Sequence, residues 1–322
     1  MKRMFLLIIV LSLVSGYLVM PSSVLAGEGD DKHPYEFVPE HVTSSYVDSQ
    51  IEKVRDSLLP STQDEWREYE EVLQLQNELE LQPQYRFAQE QKIALFSIVA
   101  PGYQEFEDKM EREVVQLVES GQYTLEQINN MSIEELASVV GVEIPATPQQ
   151  EVINSQLRNS DILAQVVQPS ISIGTARRGD PILVHNGPWW KPAFYGWWTH
   201  AIMTLGYNRY IHAVGPGHRN QYTSWSRSIR GRTIGIMGVW SSSKIRDRAA
   251  SFTEAQTGEW YKILSPKWDT NHWYCSKLPW AGYFYKSWGT IDIDSNKGYW
   301  VTPSNIWQSG WTYLRGFSWR AP

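Results

Sequence analysis

The chain has 322 residues, 42% of them hydrophobic and 20% charged, an ordinary globular composition and enough length for one large or two modest domains. A net charge of −6 argues against a nucleic-acid partner, and a single cysteine excludes an intramolecular disulfide. The charge is unevenly spread: residues 27–170 carry 28 acids against 9 bases, net −19, and residues 171–322 carry 7 acids against 18 bases, net +11.

In chain order, Met1-Lys2-Arg3 leads into an apolar run from Met4 to Met20, and the small residues of Pro21-Ser-Ser-Val-Leu-Ala26 follow. A basic start, an apolar stretch and small residues before a polar segment predict a secretory signal over 1–26, cleaved after Ala26. The competing reading is an uncleaved anchor, for which 17 apolar residues are slightly short. The expected location is therefore secreted, extracellular or in the cell envelope, with no stable membrane span after cleavage.

Residues 27–165 read as an acidic helical region. Trp66, Tyr69 and Leu73, and again Phe106, Met110, Val114 and Leu117, keep the three-to-four spacing of an amphipathic helix. Pro83 and Pro101-Gly102 interrupt that pattern. Thr124 to Gln127 and Ser132 to Glu135 fit capping boxes, and Val152 to Val167 suits a further helix before the linker prolines end at Pro169.

Residues 166–322 read differently, because they hold 15 of the 16 tryptophans and short strand-like runs: Pro181 to Val184, Ala201 to Leu205, Tyr210 to Val214 and Thr233 to Met237. Helices are predicted from Lys244 to about Ile263 and from Cys275 to about Trp288. The fold class expected is α+β, a helical N-terminal region followed by a domain with a central antiparallel sheet.

His200 and His212 lie symmetrically about Gly206, so a hairpin closing near Gly206-Tyr207-Asn208 sets them opposite each other on one face. Cys275 stands where a loop gives way to an apolar helix. Proline is tolerated only in a first helical turn, so Pro279 places the helix start near Cys275 or Ser276. A cysteine there feels the positive end of the helix dipole, and a neighbouring imidazolium is expected to lower its pKa further. The alternatives are a small buried hydrophobe for Cys275 and core histidines for His200 and His212.

At these residues the chain resembles a known family. Arg178 to Val184, Thr199-His-Ala-Ile-Met203, Tyr210-Ile-His-Ala-Val-Gly215 and Tyr274-Cys-Ser-Lys-Leu278 look like the circularly permuted branch of the NlpC-type papain-like hydrolases, which includes YiiX-like proteins and the lecithin:retinol acyltransferase group. The resemblance covers about residues 171–315. It implies Cys275 as nucleophile, His200 as general base, His212 as the polar third member and Gly179-Asp180 as a structural turn. Relatives often carry an acidic residue two positions after the cysteine and a β-branched residue two further on, where this chain has Lys277 and Pro279. The activity implied is cleavage of an amide bond in cell-wall peptides through a thioester, with no cofactor. A lipid ester or N-acyl substrate, and a non-catalytic envelope-binding module, are the alternatives.

Trp197, Trp198, Trp273 and Tyr274 are the candidates for lining a substrate groove, with core packing as the other reading. His185, His218 and His272 receive no catalytic role, and the histidines and one cysteine lack metal-ligand spacing. Arg227, Arg230 and Arg232 form a basic run suited to anionic envelope polymers. The opposite charges of the two regions also suit docking of the acidic region on the basic one.

Overall fold

The computed structural model describes residues 43–146, 148–167, 171, 173–185, 196–263, 265–296 and 298–319. The expected signal over 1–26 and the linker proline Pro169 lie outside the described residues.

The described part of the acidic region is built from helices: α1 (Ser44–Ser57), α2 (Gln63–Leu79), α3 (Pro83–Val99), α4 (Tyr103–Glu119), α5 (Leu125–Asn130), α6 (Ile133–Val140) and α7 (Gln150–Arg158). Both expected capping boxes form, at Thr124 with Gln127 and Ser132 with Glu135, and Thr62 with Glu65 makes a third. Pro83 occupies the first turn of α3, where its missing N–H removes no helical bond. Phe106, Met110 and Val114 are buried as their spacing predicts. In α2 the buried line runs through Val72 and Leu79 while Trp66 is exposed, so the inward face is rotated from the one expected. The helix expected from Val152 to Val167 spans only α7, and Val167 instead bridges to Phe317.

The second half supplies β1 (Pro181–His185), β2 (His200–Gly206), β3 (Arg209–His212), β4 (Gln221–Thr223), α8 (Trp225–Ser228), β5 (Thr233–Val239), α9 (Ser243–Ala255), β6 (Trp260–Tyr261), β7 (His272–Trp273), α10 (Lys277–Lys286), α11 (Pro303–Gln308) and β8 (Thr312–Ser318). Six strands form one antiparallel sheet in the order β4-β3-β2-β1-β5-β8, and β6 and β7 make a small parallel pair. The fold is α+β. Helix α9 ends at Ala255, short of the expected Ile263, because the chain turns at Gly258 (φ 90°) and leaves as β6.

Strand alternation gives the sheet two apolar faces. Leu183, Ala201, Met203 and Met237 pack with α9 and α10, whereas Ile182, Ile202, Tyr210 and Ile236 pack with Trp225 and Ile229. The first of these cores also takes in Val72, Leu95, Phe96, Ile153 and Leu157 from the acidic helices. Residues 39–322 thus form one compact unit, and the boundary expected near residue 165 does not separate two cores.

Polar contacts cross the same boundary. Glu68 of α2 pairs with Lys244 and, at 2.6 Å, with Arg248. Buried Lys92 of α3 donates to the carbonyls of Trp307 (2.9 Å) and Ser309 (2.8 Å). Among the described residues no helix is long and apolar enough to cross a membrane.

Candidate active site

His200 opens β2 and His212 closes β3. The two strands are joined by Tyr207 and Asn208, both at positive φ (50° and 58°), as a tight two-residue hairpin requires. A register shift between Thr204 and Gly206 follows, and Met203 faces Ile211. Carried outward, that register sets Ile202 opposite His212, so the two histidines are diagonal neighbours and not directly opposed as the symmetry predicts. The imidazoles still meet: His200 Nε2 lies 2.9 Å from His212 Nδ1, with the rings edge to face.

Both rings are neutral at pH 7. Burial, then His212, then Arg232 hold His200 well below the ordinary histidine value. Burial and Arg227 lower His212 to about 4. A neutral pair shares one N–H···N hydrogen bond, with one ring donating and the other accepting.

Cys275 sits between β7 and α10, in a backbone held on both sides. The hydroxyl of Tyr274 accepts from the Val301 N–H at 3.1 Å, and the hydroxyl of Ser276 donates to the Val301 carbonyl at 2.6 Å. The two residues flanking the cysteine thus grip the same peptide group donor and acceptor of Val301. Ser276 stands at the N-cap position of α10 without a side-chain cap bond, and the helix begins at Lys277, so Pro279 falls within the first turn.

The thiol is buried, and burial pushes it above its ordinary value. The backbone N–H groups of Ala201, Ser276 and Cys275 and the Ser276 hydroxyl oppose that shift by favouring the thiolate. This corrects the expectation that the helix dipole and an imidazolium lower the thiol pKa. Desolvation outweighs these donors, and the imidazoles of His200 and His212 are themselves held neutral. The Ala201 contact brings the sulfur to the start of β2, one residue from His200. Among the described residues no hydrogen bond joins the thiol to the imidazole itself.

Tyr261 is held well above the ordinary tyrosine value by burial and, after it, by Cys275. It arrives on β6, whose Tyr261 N–H donates to the His218 carbonyl. The reading had this residue inside a helix; Gly258 was the signal for the break.

The four aromatic residues expected to line a groove belong to the interior. Trp197 is 1% exposed and Trp198, Trp273 and Tyr274 are 0%. Trp197 stacks on His185 at 4.2 Å and meets Phe96 of α3 edge to face, while the Trp273 ring N–H donates to Glu259. Trp260 on β6 does reach solvent, with Arg219 stacked 3.9 Å from its ring centre.

The remaining histidines are accounted for locally. His185 Nδ1 lies 2.6 Å from the Trp197 carbonyl, His218 is exposed, and His272 pairs with Asp269. Among the described residues no cluster of three or more histidine, cysteine or carboxylate side chains is gathered for a metal.

The arrangement therefore brings a thiol, backbone donors for a negative charge and, beside Ala201, a hydrogen-bonded imidazole pair to one end of the sheet. No protein-family model, curated protein or solved structure matches the chain in comparison with known proteins.

Proposed function

We propose that the chain is a cysteine hydrolase of the permuted papain-like kind, with Cys275 as nucleophile, His200 as general base and His212 orienting His200. The observation that carries this reading is the convergence on one sulfur of three backbone N–H groups, one of them from the residue next to His200. Donors that favour a thiolate also suit the oxyanion that forms beside it.

In the resting protein thiol and imidazole are both neutral. When substrate binds, His200 takes the Sγ proton as the sulfur attacks the carbonyl carbon, forming the S–C bond. The tetrahedral oxyanion is met by backbone N–H groups around Cys275. His200 passes its proton to the departing amine as the C–N bond breaks, which leaves a thioester. His200 then takes a proton from water, hydroxide equivalent adds to the thioester, the C–S bond breaks, and the acid and free thiol are released.

The substrate that fits best is a cell-wall peptide amide. It is supported by the expected export signal, by the +11 charge of residues 171–322 and by the resemblance of the sequence motifs. The test is digestion of purified stem peptides by the full chain and by Cys275→Ala. Release of new amino groups by the wild type and none by the variant supports the reading. Equal release, or binding without release by both, sinks it; the latter outcome marks a binding module.

A further inference from the structure

We propose that Glu107, on helix α4 of the acidic region, is a positioning residue for the Cys275 and His200 site, tying together the two backbone arms that carry the pair. The inference rests on the catalytic reading above and assigns the acidic region a part in it.

One carboxylate oxygen of Glu107 reaches both arms. It accepts the backbone N–H of Trp197 at 2.5 Å, three residues before His200. It also accepts the Ser304 hydroxyl at 3.0 Å, three residues after Val301. Val301 is the residue whose N–H and C=O are gripped by Tyr274 and Ser276 on either side of Cys275. The second oxygen accepts from Gln308 of α11 at 3.1 Å.

The joint is built to close tolerances. Gly196 lies against it, and a Cβ there would collide with Ser304 Oγ and press on Glu107. On the far side His185 holds the Trp197 carbonyl and stacks on its ring, so the segment leading to His200 is fixed from two directions. Displacements of about 1 Å in a catalytic pair cost on the order of a hundredfold in rate, so a joint of this kind acts on chemistry without touching substrate.

Glu107 also titrates in a useful range. Burial raises it to about 7 against the three hydrogen bonds it accepts, with Asp108 of its own helix adding to the rise. The groups that face it from α11 are the neutral Ser304 and Gln308. On the strand side His185 holds the carbonyl of Trp197, whose N–H Glu107 accepts, and on α3 Lys92 donates to the Trp307 carbonyl. Ionised Glu107 accepts charge-assisted bonds and holds both arms more firmly, so the rate rises as pH passes through about 7.

The experiment measures acylation of the full chain by p-nitrophenyl acetate, in which the S–C bond to Cys275 forms, the Sγ proton passes to His200, the acyl C–O bond breaks and p-nitrophenolate leaves. Glu107→Ala is expected to acylate at least about tenfold more slowly. Glu107→Gln keeps an acceptor oxygen and recovers most of that loss, but its pH profile lacks the inflection near 7. Ser304→Ala, which removes only the link to the cysteine arm, slows acylation too and serves if Glu107→Ala does not fold. Wild-type rates in folded Glu107→Ala, or in Ser304→Ala, overturn the proposal, as does an inflection that persists unchanged in Glu107→Gln. A wild type that is not acylated, or is acylated equally as Cys275→Ala, overturns the catalytic reading instead.

Discussion

Truncating Phe96 to alanine tests whether the acidic helices and the sheet share one core. Phe96 of α3 is buried and meets Trp197 edge to face at 5.7 Å and Trp307 at 5.8 Å, so its ring lies where the two halves join. Removing a buried phenylalanine costs about 3–5 kcal/mol, and the two aromatic contacts are lost with it, so about 4 kcal/mol is expected. In a unit of this size about 1 kcal/mol moves the melting temperature by roughly 2–4 °C, so about 4 kcal/mol moves it by roughly 8–16 °C. Calorimetry of the full chain should give one transition that shifts as a whole. Two transitions, of which only the lower shifts in Phe96→Ala, would refute the single core and restore a separable helical domain.

The remaining predictions concern the joints around the site. Tyr274→Phe leaves the buried Val301 N–H without its acceptor and should cost about 1–3 kcal/mol in urea unfolding; an unchanged midpoint would count against the Val301 grip. At Gly282 of α10 a Cβ would stand 2.7 Å from the Ala249 carbonyl and 2.8 Å from Thr253 Oγ1, so Gly282→Ala should destabilise by about 1–3 kcal/mol, and a neutral outcome would mean that α9 and α10 can separate freely. Lys92 is depressed by burial to about 7 from 10.5, so its contribution is present above 10.5 and is lost as pH falls through about 7. Relative to wild type, Lys92→Met should therefore look better at pH 6 than at pH 10; equal differences in urea midpoint at both would contradict the shift. Iodoacetamide should label native Cys275 more slowly at pH 7.5 than in the unfolded chain, since burial holds the thiol protonated, and labelling faster than the unfolded thiol would contradict that state.

Local signals were legible in the sequence to the extent that local physics decides them. The four core strands, the capping boxes and the place of Cys275 before a helix follow from alternation, hydroxyl-acid pairs and the tolerance of proline in a first turn. Strand register was less legible, because the shift beside Gly206 depends on how the Tyr207-Asn208 turn feeds the bulge, and one such step turns opposed histidines into diagonal ones. Exposure was not legible at all. Trp197, Trp198, Trp273 and Tyr274 carry the same composition signal whether they line a groove or fill a core, and the neighbours that decide it, such as Phe96, lie about a hundred residues away. Glu107 escaped for the same reason: its partners Trp197 and Ser304 are distant in sequence, and a glutamate on an acidic amphipathic helix reads as solvated.

The largest revision falls on the electrostatics of Cys275. Dipole, N–H donors and a nearby histidine all favour a thiolate, and a sequence argument adds them as if each acted in water. Within the fold they act on a buried sulfur, where desolvation opposes every charge, and the histidine meant to supply a positive partner is itself lowered by burial and by His212 and Arg232. The same low-dielectric surroundings that suppress the resting ion pair would strengthen each N–H donor once a substrate carbonyl brings developing negative charge into their reach. In the proposed hydrolase, a neutral resting pair with donors already aimed at the sulfur would suit proton transfer to His200 that accompanies attack, and would place the burden of catalysis on geometry instead of thiolate population. That is why the joints at Val301 and Glu107, which fix geometry and contribute no charge to the sulfur, are the places where small substitutions should matter most.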